Sequence, residues 1–179
     1  ATGQVAAATT MLALPLNRWV EGLNHFLPAA VAVQAAREVP PAFDPRRDAV
    51  ERTYDYRVRL SRARQPLWER QAWVQPGPLA LPPMRAALAA LEGRHDFAAF
   101  AAKSGRTNTV RTMYETAVDV VPWGLCFRFR AESFLTHQVR RMVGLLMQVG
   151  REAESPESVH RFLAAPQAGT VRPSAPPQG

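Results

Sequence analysis

Residues 50–150 predict an α+β fold: an antiparallel or mixed sheet with helices packed on one face. Three observations predict it. E-R-T-Y-D-Y-R-V-R-L (51–60) alternates with a period of two, with Tyr54, Tyr56, Val58 and Leu60 on one face and Thr53, Asp55, Arg57 and Arg59 on the other. Two further strand-like stretches, 109–121 and 125–132, flank Pro122-Trp123-Gly124, which has the composition of a hairpin turn. The run S-F-L-T-H-Q-V-R-R-M-V-G-L-L-M-Q-V-G (133–150) is apolar round most of a helical circumference. Strands grouped beside helices, rather than alternating with them singly, suit an antiparallel sheet covered on one side.

The elements follow in order. G-Q-V-A-A-A-T-T (3–10) reads as a short strand. Residues 14–26 suit a helix, because Leu16, Trp19, Val20 and Leu23 fall at helical spacing and Pro28 stops it. V-A-V-Q-A-A-R-E-V (31–39) reads as a second strand. Pro40-Pro41 and Asp44-Pro45-Arg46-Arg47 then mark a loop and a domain boundary, giving domains at 1–48 and 49–179. After the strand at 51–60, prolines at 76–83 precede a helix over 82–92 that ends at Gly93. His95-Asp96-Phe97 opens a short helical turn with Asp96 as its cap. The hairpin, a long helix over 134–149 and a smaller helix near 156–164 complete the order, and the Pro/Gly-rich tail is expected to be irregular.

Composition narrows the classes. At 47% hydrophobic over 179 residues the chain can bury a core. No stretch nears the roughly 20 apolar residues that span a bilayer, and residues 1–15 lack the pattern of a secretory leader. One cysteine, Cys126, excludes an internal disulfide or a Cys-rich metal site, and His25, His95 and His160 show no ligand spacing, so no metal is expected. A cytoplasmic setting follows by default. The net charge of +7 sits entirely in residues 50–150, with 15 basic and 8 acidic side chains, and only Lys103 among the basic residues is lysine. Arginine forks suit phosphate and stack on bases. GC-rich coding also favours arginine, so charge alone leaves nucleic-acid binding open.

The long helix is the most informative stretch. At about 100° per residue, Leu135, Val139, Met142, Leu146 and Val149 form a narrow stripe, widened by Phe134, Leu145, Val143 and Met147. The leftover strip holds His137, Arg140, Arg141, Gly144 and Gln148. Such a strip either faces water or floors a cleft. In a cleft, each arginine needs a carboxylate or phosphate partner, because an unpaired buried charge is costly. Gly144, one turn past Arg140, would then let another chain or a ligand approach.

This helix closely resembles the late helix of the tRNA pseudouridine synthase A family, whose pattern is roughly F-L-x-H-x-V-R-x-x-V-G. Four more stretches agree in order: R-T-Y-D-Y (52–56) with R-x-Y-x-Y, L-E-G-R-H-D-F-A-A-F (91–100) with G-x-H-D-F-x-x-F, R-T-N-T-V-R-T (106–112) with R-T-x-x-R-T, and A-P-P-Q-G (175–179) with A-P-x-G. The resemblance covers nearly the whole chain. It implies a pseudouridine-synthase-type sheet of ferredoxin-like halves. The implied reaction converts uridine to pseudouridine in tRNA, around positions thirty-eight to forty of the anticodon arm, without cofactor or metal. A homodimer with a positive cleft shared by both subunits is also implied. By position, Arg140 matches the arginine that pairs with the catalytic aspartate, and Tyr54 the tyrosine that stacks on the flipped base and can accept a proton. Arg52, Arg106, Arg111, His137 and Arg141 join Tyr54 as expected RNA contacts.

One departure stands out. The family's aspartate belongs to G-R-T-D-A-G-V-H, and residues 1–179 contain no such motif. A-T-G-Q-V-A-A resembles what directly follows it, so the chain is expected to be a fragment cut at both ends and inactive as it stands. Gly105-Arg106-Thr107-Asn108 mimics G-R-T-D, but asparagine cannot serve as a carboxylate nucleophile. A non-catalytic RNA-binding α+β module and a bare dimerisation domain are the alternatives.

Overall fold

The computed structural model describes residues 3–102, 108–172 and 174–179. The chain divides into two compact units, residues 1–49 and 50–179.

In the first unit, helix α1 spans Leu16–Phe26 and follows Pro15, whose extended backbone leads into it. It buries none of its residues. The strands expected over 3–10 and 31–39 do not form. A lone extended segment has no ladder to satisfy its amides, and no strand lies within the described residues of this unit. At Val33 a side chain substitutes: Asn24 Nδ2 donates to the Val33 carbonyl (2.9 Å), and the Val33 N–H donates to Asn24 Oδ1 (2.7 Å).

The second unit is built on a five-stranded sheet. Its strands are β1 (Arg52–Leu60), β2 (Trp73–Gln75), β3 (Gly93–Asp96), β4 (Val110–Val121) and β5 (Gly124–Ala131), in the order β2-β1-β5-β4-β3. β1 and β2 are parallel and the other pairs antiparallel, so the sheet is mixed. The β4–β5 hairpin turns at Pro122-Trp123 and closes on Gly124, whose φ of 151° and contact with the Val58 carbonyl leave no room for a side chain. A bulge between Met113 and Glu115 shifts the β4 register, and the buried face passes from Met113 to Val118.

Alternation sorts the two faces. Val58, Leu125, Phe127, Phe129 and Ala131 point into the core. Helices α2 (Leu81–Ala89) and α3 (Gln138–Gly150) close that side through Met84, Leu88, Met142, Val143, Leu146 and Val149. Gly150 allows the two helices to meet, because a Cβ there would collide with the Met84 side chain. On the other face Arg128 pairs with Asp55 (2.8 Å), its direct cross-strand neighbour, and Arg130 with Glu51 and Glu115. Such exposed pairs each add little stability.

Three further expectations need correction. Gly93–Asp96 is a strand, and the helical turn begins after it, as a 3-10 turn over Ala98–Phe100. The cap residue of that turn is Phe97, and Asp96, one residue earlier, supports it through Oδ1, which accepts from the Ala98 N–H (2.9 Å). The long helix begins at Gln138, not at 134, because the backbone adopts a left-handed conformation at His137 (φ 65°, ψ 5°). Gly144 is buried within the helix packing, so it offers no approach for a ligand. The tail beyond α4 (Ser158–Ala164) lacks regular structure, yet it is packed down: Val171 and Ala175 are fully buried.

Candidate functional site

The site forms where β5 hands over to α3. Residues 132–137 make the connection. Gln138, fully buried at the start of α3, accepts the Leu135 N–H through Oε1 (2.8 Å), and the Ala102 N–H donates to the Thr136 carbonyl. Left-handed backbone at a histidine costs about 1–2 kcal/mol, so these bonds hold His137 in a strained pose at the mouth of the helix. His137 sits exposed before α3 rather than on its polar strip.

Arg140 and Arg141 follow, both half-buried. Arg140 Nε donates to the Ala175 carbonyl (2.6 Å), and the Ala175 N–H donates back to the Arg140 carbonyl (2.9 Å). Among the described residues no carboxylate lies within 4.0 Å of either guanidinium. The bond that Arg140 makes here is to tail backbone, not to the carboxylate expected for it. Arg141 donates through one terminal nitrogen to the Val171 carbonyl (2.9 Å). Burial, then the nearby charge of Arg172, weakens its hold on its proton.

The phenol beside Arg140 is that of Tyr56. Tyr56 is 4% exposed, and its hydroxyl donates to the Pro176 carbonyl (2.6 Å). Gly179 lies against its ring, with no room for a Cβ. Burial pushes the Tyr56 pKa above the ordinary phenol range, and the Arg140 charge opposes that rise only in part. Tyr54 shares the strand face two residues earlier. It is 49% exposed and meets Phe134 edge to face at 5.1 Å. The two tyrosines thus occupy different ground: Tyr54 at the surface against the loop before α3, Tyr56 buried against the tail.

The remaining expected contacts cluster in part. Arg52 and Met113 both lie opposite Ala131, on strands β1 and β4 flanking β5. Arg52 donates to the Glu132 carbonyl (3.1 Å), while Glu132 Oε1 accepts the Thr112 N–H (2.9 Å). Arg111, opposite His95, donates to its neighbour's carbonyl at Val110, and its Nε is buried without an acceptor. Arg52, Tyr54 and Arg111 therefore gather at the sheet end where β5 leads to α3. Arg106 lies outside the described residues, as do Gly105 and Thr107. Asn108 turns back to accept the Val110 N–H (3.2 Å), the behaviour of a loop asparagine.

What sequence reasoning missed is Tyr56 and the closing of the tail over it. Period-two alternation put both tyrosines on one face and could not choose between them. The A-P-P-Q-G motif was the available signal for the tail.

A family model described as tRNA pseudouridine synthase matches residues 87–179. Among curated proteins, tRNA pseudouridine synthase A of Myxococcus xanthus is 40% identical over 181 residues, covering 100% of this chain and 68% of that protein. The protein of the same name from Geobacter sp. (strain M21) is 40% identical over 183 residues, covering 100% of this chain and 73% of its own length. That from Burkholderia multivorans is 40% identical over 174 residues, covering 96% of this chain and 64% of its own. The chain belongs to the tRNA pseudouridine synthase family. The family model's match includes Arg111, His137, Arg140, Arg141 and the tail, while Arg52, Tyr54 and Tyr56 fall within the longer similarity. No helix among the described residues is long and apolar enough to cross a membrane.

Proposed function

We propose that this chain supplies the tRNA-holding face and part of the catalytic centre for conversion of uridine to pseudouridine, at uridines around positions thirty-eight to forty of the anticodon arm. In that reaction the C1′–N1 bond breaks, the uracil turns, a C1′–C5 bond forms, the C5 proton leaves and N1 takes up a proton. Nothing is oxidised or reduced, so the balance calls for no redox cofactor. The target base must leave its stack, at a cost of about a few kcal/mol.

The observation that carries the reading is Arg140. Its guanidinium is half-buried beside the Tyr56 phenol, anchored by one nitrogen to the Ala175 carbonyl and without a carboxylate partner among the described residues. A guanidinium held this way can receive an aspartate and keep it ionised. The family's aspartate lies in G-R-T-D-A-G-V-H, which residues 1–179 do not contain. Tyr54 takes the stacking role at the surface, and Tyr56 lies buried behind Arg140, bonded to the tail. Arg52, Arg106, Arg111 and His137 contact RNA. The reading includes a homodimer sharing a positive cleft, in the cytoplasm.

The test uses a protein extended to carry G-R-T-D-A-G-V-H ahead of Ala1, with tRNA tritiated at uridine C5. Release of tritium is expected, with abolition by Arg140→Ala. Undiminished release from that variant would remove Arg140 from the mechanism. Tight tRNA binding with no release from the extended protein would instead favour a non-catalytic RNA-binding module.

A further inference from the structure

Neighbouring residues on a helix point about 100° apart, and Arg140 and Arg141 take different partners, the Ala175 and Val171 carbonyls. Arg140 faces Tyr56. Arg141 opens on a separate cavity of ≈ 730 Å³, lined also by Gln167, Ala168, Gly169, Thr170 and Arg172. We propose that this cavity binds a phosphate group between the guanidiniums of Arg141 and Arg172, as an anchor point separate from the contact between Arg140 and Tyr56. That the phosphate belongs to an RNA backbone rests on the function proposed above; the site itself does not.

Charge is the first reason. Arg64, Arg128, Arg130 and Arg161 each have a carboxylate within reach. Arg141 and Arg172 line one cavity, and among the described residues neither has one. Two like charges facing one space are mutually destabilising until an anion joins them. Burial and Arg172 together already weaken the protonated form of Arg141. Geometry is the second reason. One terminal nitrogen of Arg141 is spent on the Val171 carbonyl and Nε is enclosed without an acceptor, which leaves the other terminal nitrogen to serve an anion in the cavity that Arg141 lines. A tetrahedral anion bridging two such forks accepts several charge-assisted bonds at once.

The wall is also held in place beforehand. The Gly169 and Val171 N–H groups donate to the Ala98 and Ala99 carbonyls (3.3 and 3.1 Å), on the turn that Asp96 supports. Gly169 has a φ of 76°, which favours glycine and lets the chain bend there. The Thr170 hydroxyl is already engaged, donating to the Gln167 carbonyl (2.9 Å). Binding therefore falls to the two arginines, and the backbone bonds at Gly169 and Val171 lower the cost of ordering the wall when the anion arrives.

The test uses the 179-residue chain. Arginine Nε–H resonances, assigned with Arg141→Gln and Arg172→Gln, are followed while inorganic phosphate replaces chloride at constant ionic strength. Saturable shifts at both arginines are expected, with at least tenfold weaker phosphate binding in Arg172→Gln. Arg172 is exposed, so its replacement should leave the thermal midpoint unchanged. In parallel, binding of an unmodified tRNA transcript is measured against salt. The slope of log K against log salt should become shallower in Arg172→Gln by about 0.7–0.9, the loss of one phosphate contact. Phosphate shifts with an unaltered tRNA slope would assign the site to free phosphate. Absence of a saturable phosphate shift, with the slope unaltered, overturns the site. Failure of the unsubstituted chain to bind tRNA at low salt sinks the functional reading instead, while the phosphate titration still judges the cavity.

Discussion

Replacing Arg140 by alanine separates a structural role from a chemical one. In the chain itself the change deletes the Nε bond to the Ala175 carbonyl, made at 2.6 Å by a charged donor. Bonds to charged groups contribute about 1.5–3 kcal/mol, and the half-buried setting argues for about 2 kcal/mol. The Ala175 N–H keeps its bond to the backbone carbonyl at position 140, so the tail loosens but stays. For a chain of this size each kcal/mol moves the thermal midpoint by about 2–4 °C. The expected drop is therefore about 4–8 °C, read by circular dichroism. In a protein that also carries the aspartate segment, the same change strips a buried carboxylate of its partner. That penalty is about 3–5 kcal/mol, or, where it falls wholly on the transition state, about 2.2–3.7 decades in rate at about 1.36 kcal/mol per decade. Arg140→Lys keeps the charge but not the fork, so it should recover part of the midpoint and little of the turnover. A midpoint within a degree of the parent for Arg140→Ala, together with full tritium release, would refute both halves of this reasoning.

Three further outcomes are expected. Tyr56→Phe removes the hydroxyl bond to Pro176 and should cost about 1 kcal/mol in urea unfolding at neutral pH. Because the folded state raises the Tyr56 pKa, its contribution is complete below about pH 10 and fades as pH climbs through the folded value; the phenylalanine variant should show a flatter alkaline limb, and identical limbs would count against the buried phenol. Gly124→Ala drives a Cβ into the Val58 carbonyl at a φ of 151° and should lower stability by about 2–4 kcal/mol; a parental urea midpoint would contradict the β1–β5 geometry. Asp96→Ala strips the Ala98 N–H of its acceptor and should cost about 1 kcal/mol, seen as faster amide exchange over residues 98–101; unchanged exchange there would remove that support.

The elements that sequence reasoning placed well are those whose pattern is local. β1 showed itself by alternation, the β4–β5 hairpin by Pro122-Trp123-Gly124, and α3 by an apolar stripe too wide for an ordinary surface helix. The short strands β2 and β3, of three and four residues, carry too few positions to display a period. The start of α3 was misjudged for a related reason: Phe134 and Leu135 extend the helical stripe in sequence, but the left-handed turn at His137 excludes them from the helix. Strands expected at 3–10 and 31–39 have suitable residues but no ladder to join.

At the candidate site the division is sharper. Sequence singled out Arg140 and Arg141 as cations on a largely apolar helix, and five ordered motifs pointed to the family. Those conclusions needed only residue type and spacing along one chain. Which tyrosine accompanies Arg140, and that both arginines hold the tail by its carbonyls, depended on residues roughly 30 to 120 positions apart meeting in space. Periodicity reports which face a side chain takes; only packing decides what lies on the other side of that face.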